Sequence, residues 1–523
     1  MMFHNTTIYQ IYPRSYYDSD NDGIGDIKGI IQKLDYIQHL GFETIWISPF
    51  FSSPQIDFGY DISDYRTIHR EYGTMEDVEM LIAEVHSRKM KLLIDMVMNH
   101  TSDTHQWFRD SVARIHDKDD WYIWRKGRGR RPPNNWINII GKPAWNYVAE
   151  RNEWYLSSFM SFQPDLNYRH QPVYTEMMDT VKFWLDKGVD GFRLDIFNCI
   201  YKDKDFKDNP FSWLPFPTEE NPGGRFQHKK YNVNHPDSYT FAQELRSVAN
   251  NYGDKILLGE VMGRHEDIRP FIKDDKGLHL IFLFDMVFFR FSASWFAKKL
   301  ISYEKLYPAP LLPTCVFSNH DQWRSMRRIG NDMDKAKVLA VLQYTIRAVP
   351  VTYYGEEIGI SNANIPIAEA KDSLSKMFVR LPQWIADRLP VALNRDNCRT
   401  PMQWDDSTKA GFTLSAEPWL PFTNKQVANV KSQQVKASLY DTYRTLLQLR
   451  KKYLSLQYGN ISHVKAENNV LSYIRNYEEE KISIILNFGA KYKNISAVGD
   501  VIFHIGYSEG KLAPYGVVIS KSQ

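Results

Sequence analysis

The sequence predicts an α/β protein with a (β/α)8 barrel, the TIM barrel architecture, in which eight parallel strands alternate with helices. Eight short segments are apolar along most of their length, as expected of parallel strands that are buried on both faces. Helical patterns lie between these segments, and this alternation is typical of such barrels. The eight segments begin at Thr7, Thr44, Lys91, Val189, Lys255, Leu278, Pro313 and Val349.

The helical pattern is clearest in two stretches. Thr74 has the residue type of a helix N-cap, and apolar residues follow it from Val78 to Val85 at the spacing of one helix face. A second stretch contains Met177 and Trp184 at helical spacing. We expect this helix to end at Gly188, because glycine is the usual residue just after a helix C-terminus.

Two long interruptions and one change of pattern divide the chain. Residues 101–170 are rich in Trp, Pro, Asn and Arg and predict a subdomain inserted after the third strand, while residues 361–435 form a second excursion after the eighth strand. From about residue 454 short strands and turns predict a C-terminal antiparallel β-sandwich. The predicted domains are therefore a barrel of residues 1–100 and 171–453, the insert 101–170, and a C-terminal domain 454–523.

Composition narrows the classes of function. The 523 residues carry a net charge of only +3, so neither nucleic acid nor a membrane is expected as a partner. Cys199, Cys315 and Cys398 are too sparse for a disulfide framework or a zinc site. The N-terminal segment lacks a signal-peptide pattern, so a cytoplasmic location is expected. The 14% aromatic content suits either sugar binding or a large core.

Charged side chains recur at the ends of the predicted strands, where barrel enzymes carry their active sites. Hydrolysis of a glycoside needs one carboxylate that attacks the sugar and a second carboxyl that donates a proton. A cationic side chain beside the attacking carboxylate would keep it ionised, and Arg193 precedes Asp195 by two residues. The strand-end residues expected to converge are His100, Arg193, Asp195, Glu260, His320 and Asp321.

Seven motifs resemble those of glycoside hydrolase family 13, the α-amylase family. Within this family they are most similar to the oligo-1,6-glucosidase and α-glucosidase branch. The resemblance extends from Ile8 to about Arg450, and the motifs together are highly specific. They are "DMVMNH", "QPDLNY", "GFRLDIFN", "LLGEVMG", "FSNHD", "YYGEEIG" and "RTPMQWD".

The resemblance implies a role for each acid at the strand ends. Asp195 would be the nucleophile and Glu260 the general acid/base of a retaining reaction through a covalent glucosyl-enzyme. Asp321 would be the third acid, which binds sugar hydroxyls and stabilises the transition state. The retaining mechanism predicts a carboxyl separation of about 5–5.5 Å between Asp195 and Glu260.

The resemblance also implies a set of sugar-binding residues and an exo-acting pocket. His100 and His320 would hydrogen-bond the glucose, Arg193 would orient Asp195, and Gln163 would lie near the sugar. Asp57 would contact the non-reducing end and Tyr60 would form a stacking platform. Arg399 would pair with Asp57 and close the pocket, with Arg395 as the alternative partner.

The expected substrates are small α-glucosides. The residue after the nucleophile is Ile196, and its bulk is similar to that of relatives that prefer α-1,6 over α-1,4 linkages. The alternatives are a glucosyl transferase or isomerase of the trehalose synthase or sucrose isomerase type, and a trehalose-6-phosphate hydrolase. A more remote alternative is a non-catalytic, transporter-associated binding protein. We expect a monomer or a homodimer.

An acidic loop follows the first strand. The string "DSDNDGIGD" alternates acids around a glycine, as the start of an EF-hand loop does, but it lacks the closing glutamate. It resembles the calcium-type loop of the same branch, which implies a structural Ca²⁺, with Mg²⁺ as second choice, and no organic cofactor. An acidic turn without a metal is the alternative. The expected ligands are Asp18, Asp20, Asp22, Asp26 and the carbonyl of Ile24.

The predicted insert contains a basic stretch, "RKGRGRR". Such a cluster binds a phosphorylated sugar or an anionic surface, or it is simply a solvated loop. Its charged residues are Arg125, Lys126, Arg128, Arg130 and Arg131.

Overall fold

The fold is described from a computed structural model. It describes residues 6–214, 224–386, 388–389, 391–414, 417–497 and 499–522. Within these residues, contacts divide the chain into two compact units. Unit 1 consists of residues 1–45, 83–91 and 285–523, and unit 2 of residues 46–82 and 92–284. The predicted domain bounds stay predictions.

All eight predicted strands are confirmed, and they pair in parallel in one sheet. The pairing order is 6-5-4-3-2-1-8-7, which is the cyclic order of a (β/α)8 barrel. Their side chains are buried throughout, apart from the first residue of the third strand, as their apolar sequences predict. The strands are β1 (Ile8–Ile11), β2 (Thr44–Ile47), β3 (Lys91–Met96), β4 (Gly191–Leu194), β5 (Ile256–Glu260), β6 (Leu280–Phe282), β7 (Thr314–Val316) and β8 (Val349–Tyr353).

Helices follow most of these strands. The helix predicted after Thr74 spans Met75–Ser87, and the second predicted helix spans Gln171–Asp186, just before Gly188. The other helices of at least six residues are Ile27–Gln32, Leu34–Leu40, Gln106–Ala113, Pro236–Asn250, Ala293–Leu306, Met333–Thr345 and Leu439–Lys452. Short α-helices are His265–Ile268, Ser325–Arg328, Ser373–Lys376, Gln383–Ala386, Val430–Gln433 and Leu454–Tyr458.

Two small sheets form within unit 2. Phe51–Ser52 pairs with Asp64–Ile68 and brackets the loop that carries Asp57 and Tyr60. In the predicted insert, Glu153–Leu156 pairs with Trp124–Arg125 on one side and Trp145–Val148 on the other. A buried cluster that includes Trp136, Trp145 and Leu156 forms the core of this insert. The insert thus has its own sheet and core, as its aromatic composition indicates.

The C-terminal region is antiparallel, as predicted, and its strands form a six-stranded sheet. Its first strand begins at Asn460 rather than near residue 454, because Leu454–Tyr458 is a short helix. The strands are Asn460–Glu467, Val470–Tyr477, Glu480–Asn487, Lys493–Asn494, Asp500–Ser508 and Lys511–Lys521. Among the described residues, no helix has the length and apolar character needed to span a membrane.

Candidate active site

The register of three adjacent strands brings together an arginine and three acids in unit 2. Arg193 of β4 lies opposite Asp95 of β3 in the ladder, and Leu258 of β5 lies opposite Arg193 on the other side. Glu260 ends β5, and Asp195 follows β4 directly. These residues are neighbours because parallel strands in this register bring them to nearly the same level of the sheet.

Arg193 contacts all three carboxylates of this group. Its Nη1 lies 2.7 Å from Asp195 Oδ1 and 2.9 Å from Asp95 Oδ1, and its Nη2 lies 2.6 Å from Glu260 Oε2. The guanidinium side chain is only 3% exposed. Charge-assisted bonds of this length are the strong ones, so one guanidinium fixes both predicted catalytic carboxylates. The three acids and Arg193 form what we call the carboxylate cluster.

Burial sets the protonation of the cluster. Burial raises the pKa of Asp195 to about 7, although the positive charge of Arg193 and a hydrogen bond with Glu260 lower it. Burial likewise raises the pKa of Asp95 to about 6, although the same guanidinium lowers it. Arg193 is expected to keep Asp195 ionised, and its charge acts in that direction, while burial and the negative charge of Asp95 act against it.

Asp95 is the member of this cluster that the sequence analysis did not assign. It lies within the motif "DMVMNH" and inside strand β3, so it did not stand out as a strand-end acid. Its Oδ2 also accepts hydrogen bonds from Trp46 Nε1, at 3.2 Å, and from Tyr60 Oη, at 3.0 Å. The signal for Asp95 is its position opposite Arg193 in the neighbouring strand, which appears once the two strands are aligned.

Four predicted sugar-binding residues form a second group in unit 2. Gln163 Nε2 donates to Asp57 Oδ2 at 3.0 Å and to the Tyr60 carbonyl at 3.4 Å. His100 Nε2 lies 3.1 Å from the same carbonyl. Burial lowers the pKa of His100 to about 4, so its ring is neutral at pH 7 and can donate through only one nitrogen. Asp57, Tyr60, His100 and Gln163 therefore lie together, and their contacts with a sugar stay predictions.

The loop that carries Asp57 is held by Asp61. The Asp61 carboxylate accepts hydrogen bonds from the Ile56 and Asp57 N–H groups at 2.9 and 3.1 Å, and from Ser53 Oγ at 2.8 Å. Burial and the negative charge of Asp57 raise the pKa of Asp61 to about 7. Three donors on one carboxylate fix the backbone at Asp57.

Ile196 follows Asp195 and has a left-handed backbone, with φ of 31°. This conformation is uncommon for a β-branched residue. The conformation directs the Ile196 N–H to Glu260 Oε2, at 3.2 Å. The Ile196 side chain is buried with Cys199 and Val233, and the half-buried Met262 and Phe159 pack against this cluster.

The remaining predicted residues form a group in unit 1 around Asp321. Arg395 Nη1 and Arg399 Nη2 lie 3.1 and 3.0 Å from Asp321 Oδ1, and His320 Nε2 lies 3.2 Å from Asp321 Oδ2. Arg399 Nε also donates to the His320 carbonyl at 2.7 Å. Both arginines considered as partners of Asp57 thus contact Asp321. The pairing of Arg399 with Asp57 stays a prediction.

His320 is fixed by residues of β1 and its following loop. Gln10 Nε2 lies 2.8 Å from His320 Nδ1, and the Tyr12 ring stacks on the imidazole at 5.8 Å. Arg399 lies over the same Tyr12 ring at 5.3 Å. These contacts leave Nε2 of His320 directed at Asp321.

Three of the predicted metal ligands lie together. Carboxylate oxygens of Asp18, Asp20 and Asp22 are within 4.8 Å of one another, and hard oxygen donors suit Ca²⁺. The Asp26 carboxylate accepts hydrogen bonds from the N–H groups of Ser19 and Gly29, and it caps the helix Ile27–Gln32. Asp18 likewise accepts from the N–H groups of Asn21 and Gly23, so Asp26 and the Ile24 carbonyl stay predicted ligands beside the three acids.

The basic stretch is only partly neutralised. Arg128 pairs with Asp208 at 3.0 Å, and Arg125 lies 4.1 Å from the centre of the Phe206 ring. Lys126, Arg130 and Arg131 are exposed.

Comparison with known proteins identifies the family. The profile described as "Alpha amylase, catalytic domain" matches residues 10–459. The chain belongs to the α-amylase family. This α-amylase family member is 37% identical to an oligo-1,6-glucosidase of Bacillus cereus, over 97% of the chain and 94% of the relative. It is 33% identical to an α-glucosidase of Culex pipiens, over 96% of the chain and 84% of the relative.

Solved structures agree with the barrel fold. The α-amylase family chain superposes on the α-glucosyl transfer enzyme XgtA with a TM-score of 0.90 and 34% identity, over 100% of this chain and 99% of that chain. It superposes on the trehalulose synthase MutB of Pseudomonas mesoacidophila with a TM-score of 0.89 and 30% identity, over 99% of each chain. The family and these relatives make the chain a glycoside hydrolase.

Proposed function

We propose that this glycoside hydrolase is a retaining, exo-acting α-glucosidase that releases terminal glucose from short α-linked oligosaccharides. The observation that carries the proposal is the single guanidinium of Arg193, which bonds to both Asp195 and Glu260. The names of the oligo-1,6-glucosidase and α-glucosidase relatives support the substrate class.

The reaction takes two steps on these side chains. The Asp195 carboxylate attacks the anomeric carbon while the glycosidic C–O bond breaks, and the leaving oxygen takes the proton of Glu260. Water then attacks the anomeric carbon of the glucosyl-enzyme and gives a proton to Glu260, which frees the Asp195 carboxylate.

We assign binding of the terminal glucose to Asp57, Gln163 and His100. The Gln163 amide is hydrogen-bonded to the Asp57 carboxylate, and both Gln163 and the neutral His100 ring contact the Tyr60 carbonyl. A carboxylate, an amide and an imidazole held in this way offer directional hydrogen-bond partners for sugar hydroxyls. Asp321 is proposed as the third acid, and His320, which lies beside it, is proposed to hydrogen-bond the same glucose. Burial of the bulky Ile196 beside Asp195 supports a preference for α-1,6 over α-1,4 linkages.

The alternative is a glucosyl transferase or isomerase on the same scaffold. The similarity to XgtA and to a trehalulose synthase favours it. These reactions share the glucosyl-enzyme and differ in the acceptor that reaches it. A trehalose-6-phosphate hydrolase is supported only by the exposed charges of Lys126, Arg130 and Arg131.

Glucose release from a panel of substrates tests the proposal. The panel is isomaltose, maltose, sucrose, trehalose, trehalose 6-phosphate and soluble starch. Wild type is measured beside Asp195→Asn and a control, Asp332→Asn, at a half-buried helix cap. We expect glucose to be released from isomaltose or maltose but not from starch, and to appear first as the α-anomer. This activity should be lost in Asp195→Asn and kept in Asp332→Asn. New disaccharides without free glucose support the alternative, and β-glucose as first product contradicts retention.

We also propose a structural Ca²⁺ at Asp18, Asp20 and Asp22, with Asp26 and the Ile24 carbonyl as further ligands. The closeness of the three carboxylates supports this proposal, because oxygen donors suit Ca²⁺ and a cation would offset their repulsion. The cytoplasmic location and the monomeric or homodimeric state stay predictions.

A further inference from the structure

Asp372 lies outside the motifs described above and is fully buried in unit 1. It precedes the short helix Ser373–Lys376, and its Oδ2 accepts from Ser375 Oγ at 2.6 Å and from Ser375 N at 3.2 Å. A buried carboxylate is costly unless it is paired, so this side chain must have a cationic partner.

Its partner is Arg395, which it binds through two parallel hydrogen bonds. Asp372 Oδ1 lies 2.5 Å from Arg395 Nη2, and Asp372 Oδ2 lies 2.9 Å from Arg395 Nε. The third nitrogen of this guanidinium, Nη1, is the one that contacts Asp321 at 3.1 Å. Arg395 is thus a rigid bridge with Asp372 on one side and Asp321 on the other.

Backbone contacts fix the two segments that carry this pair. Asp396 Oδ2 accepts from the N–H groups of Lys371 and Asp372, at 2.6 and 3.2 Å. In return, Arg395 N donates to Ser375 Oγ at 3.2 Å. Asp372 and Arg395 therefore hold each other in one orientation.

The charges of this group are closely coupled. Asp321 and Asp372 both contact Arg395, and Arg399 Nη1 lies 3.8 Å from Asp372 Oδ1. Burial alone would raise the pKa of Asp372, but the two arginines hold it well below its usual range. Without the Asp372 charge, Asp321 would be the one carboxylate of this group left in direct contact with Arg395, and the group would lose a negative charge beside both guanidiniums. Arg395 could then turn its paired nitrogens to Asp321 and pull that carboxylate out of place.

We propose that Asp372 is a positioning residue for the reaction, which acts through Arg395 to orient the Asp321 carboxylate and to balance the positive charge around it. The proposal rests on the proposed function, in which Asp321 stabilises the transition state. Because the glycosyl transition state is cationic, excess positive charge beside Asp321 acts on that state more than on the neutral substrate.

The test is a double-mutant cycle on hydrolysis of p-nitrophenyl α-glucoside, with kcat and KM measured for Asp372→Asn, Arg395→Gln and the double variant. For Asp372→Asn we expect kcat to fall about 100-fold with little change in KM, because a displaced catalytic group costs this much. The double variant should be no slower than Arg395→Gln alone, since both changes break one bridge. Asp332→Asn, the same change at another helix cap, should keep the wild-type kcat.

Three results would overturn the proposal: a wild-type kcat in Asp372→Asn, losses that multiply in the double variant, or an equal loss in Asp332→Asn. If Asp372→Asn does not fold, Ser375→Ala weakens the hold on Asp372 and keeps its charge. That variant should lose kcat in the same direction but less, and a wild-type kcat there counts against the proposal.

Asp321→Asn separates this proposal from the proposed function. If Asp321→Asn keeps its activity while Asp195→Asn loses it, the role of Asp321 is wrong, and the proposal for Asp372 fails with it. If Asp321→Asn is inactive and Asp372→Asn is not impaired, only the proposal for Asp372 fails.

Discussion

Arg193 provides the sharpest test of the carboxylate cluster, because its charge and its shape can be removed separately. Arg193→Gln removes the positive charge beside Asp195. Arg193→Lys keeps the charge, but its single ammonium nitrogen cannot bind Asp195 and Glu260 through two separate nitrogens, as the guanidinium does. In wild type the pKa of Asp195 lies at about 7, so roughly half of it is ionised at pH 7.

The size of the effect follows from one lost hydrogen bond between charged groups. Such a bond contributes about 1.5–3 kcal/mol, which equals a further rise of roughly 1–2 units in the pKa of Asp195. At pH 7 the ionised fraction, and with it kcat/KM, would then be roughly 7- to 80-fold lower in Arg193→Gln than in Arg193→Lys, which keeps the positive charge. At pH 9 Arg193→Gln should come within about threefold of Arg193→Lys, because Asp195 ionises again and the loss of orientation is common to both variants.

The assay is kcat/KM for α-glucosyl fluoride from pH 5 to 9, since fluoride leaves without the proton of Glu260. Arg193→Lys should lose activity by a factor that hardly depends on pH, because its defect is orientation. A loss in Arg193→Gln that is the same at pH 7 and pH 9 would refute the electrostatic reasoning. Circular dichroism serves as the folding control, because breaking a buried ion pair costs about 3–5 kcal/mol of stability.

Three further predictions concern stability. Burial raises the pKa of Glu356 to about 7, so its stabilising contribution is complete below about pH 4.5 and is lost as the pH rises through 7. Denaturant unfolding of Glu356→Gln should therefore lack up to roughly 3 kcal/mol of the pH-dependent change in the free energy of unfolding. His105 caps Gln106–Ala113 and burial lowers its pKa to about 4, so its contribution is complete above about pH 6.5 and is lost as the pH falls to 4. Melting curves of His105→Asn should lack that acid dependence, since Asn can cap the helix without titrating, and an acid dependence equal to that of wild type would contradict the lowered pKa of His105. Chelation should lower the Tm of wild type but not of Asp20→Asn, and a Tm insensitive to added Ca²⁺ argues against the metal.

The barrel strands could be predicted because their signal is local. Eight apolar segments of strand length alternate with helical patterns, and each was found where its residues predict it. The start of the C-terminal sheet was placed too early, because residues 454–458 are too few for their helical period to show against the strands that follow.

A site residue could be predicted where its own position along the chain indicates its role, and not where its role depends on a partner from another segment. Asp195 follows β4 directly and Glu260 ends β5, but Asp95 gains its place from the register with Arg193, which a single segment cannot reveal. Asp372 is similar, since its partner Arg395 is distant in sequence. The hydrogen bonds that Ser19 and Gly29 donate to Asp26 are likewise hidden from its spacing, and its role as a metal ligand stays a prediction.

The register that joins Asp95, Arg193 and Glu260 also bears on how the enzyme acquires activity as it folds. These residues belong to three strands whose partners are far apart along the chain, so their contacts form only after long loops close. Partly folded chains with β4 present but unpaired would leave Arg193 without its carboxylates. Recovery of hydrolysis during refolding therefore reports on the pairing of β3, β4 and β5, and should lag behind the return of helical signal.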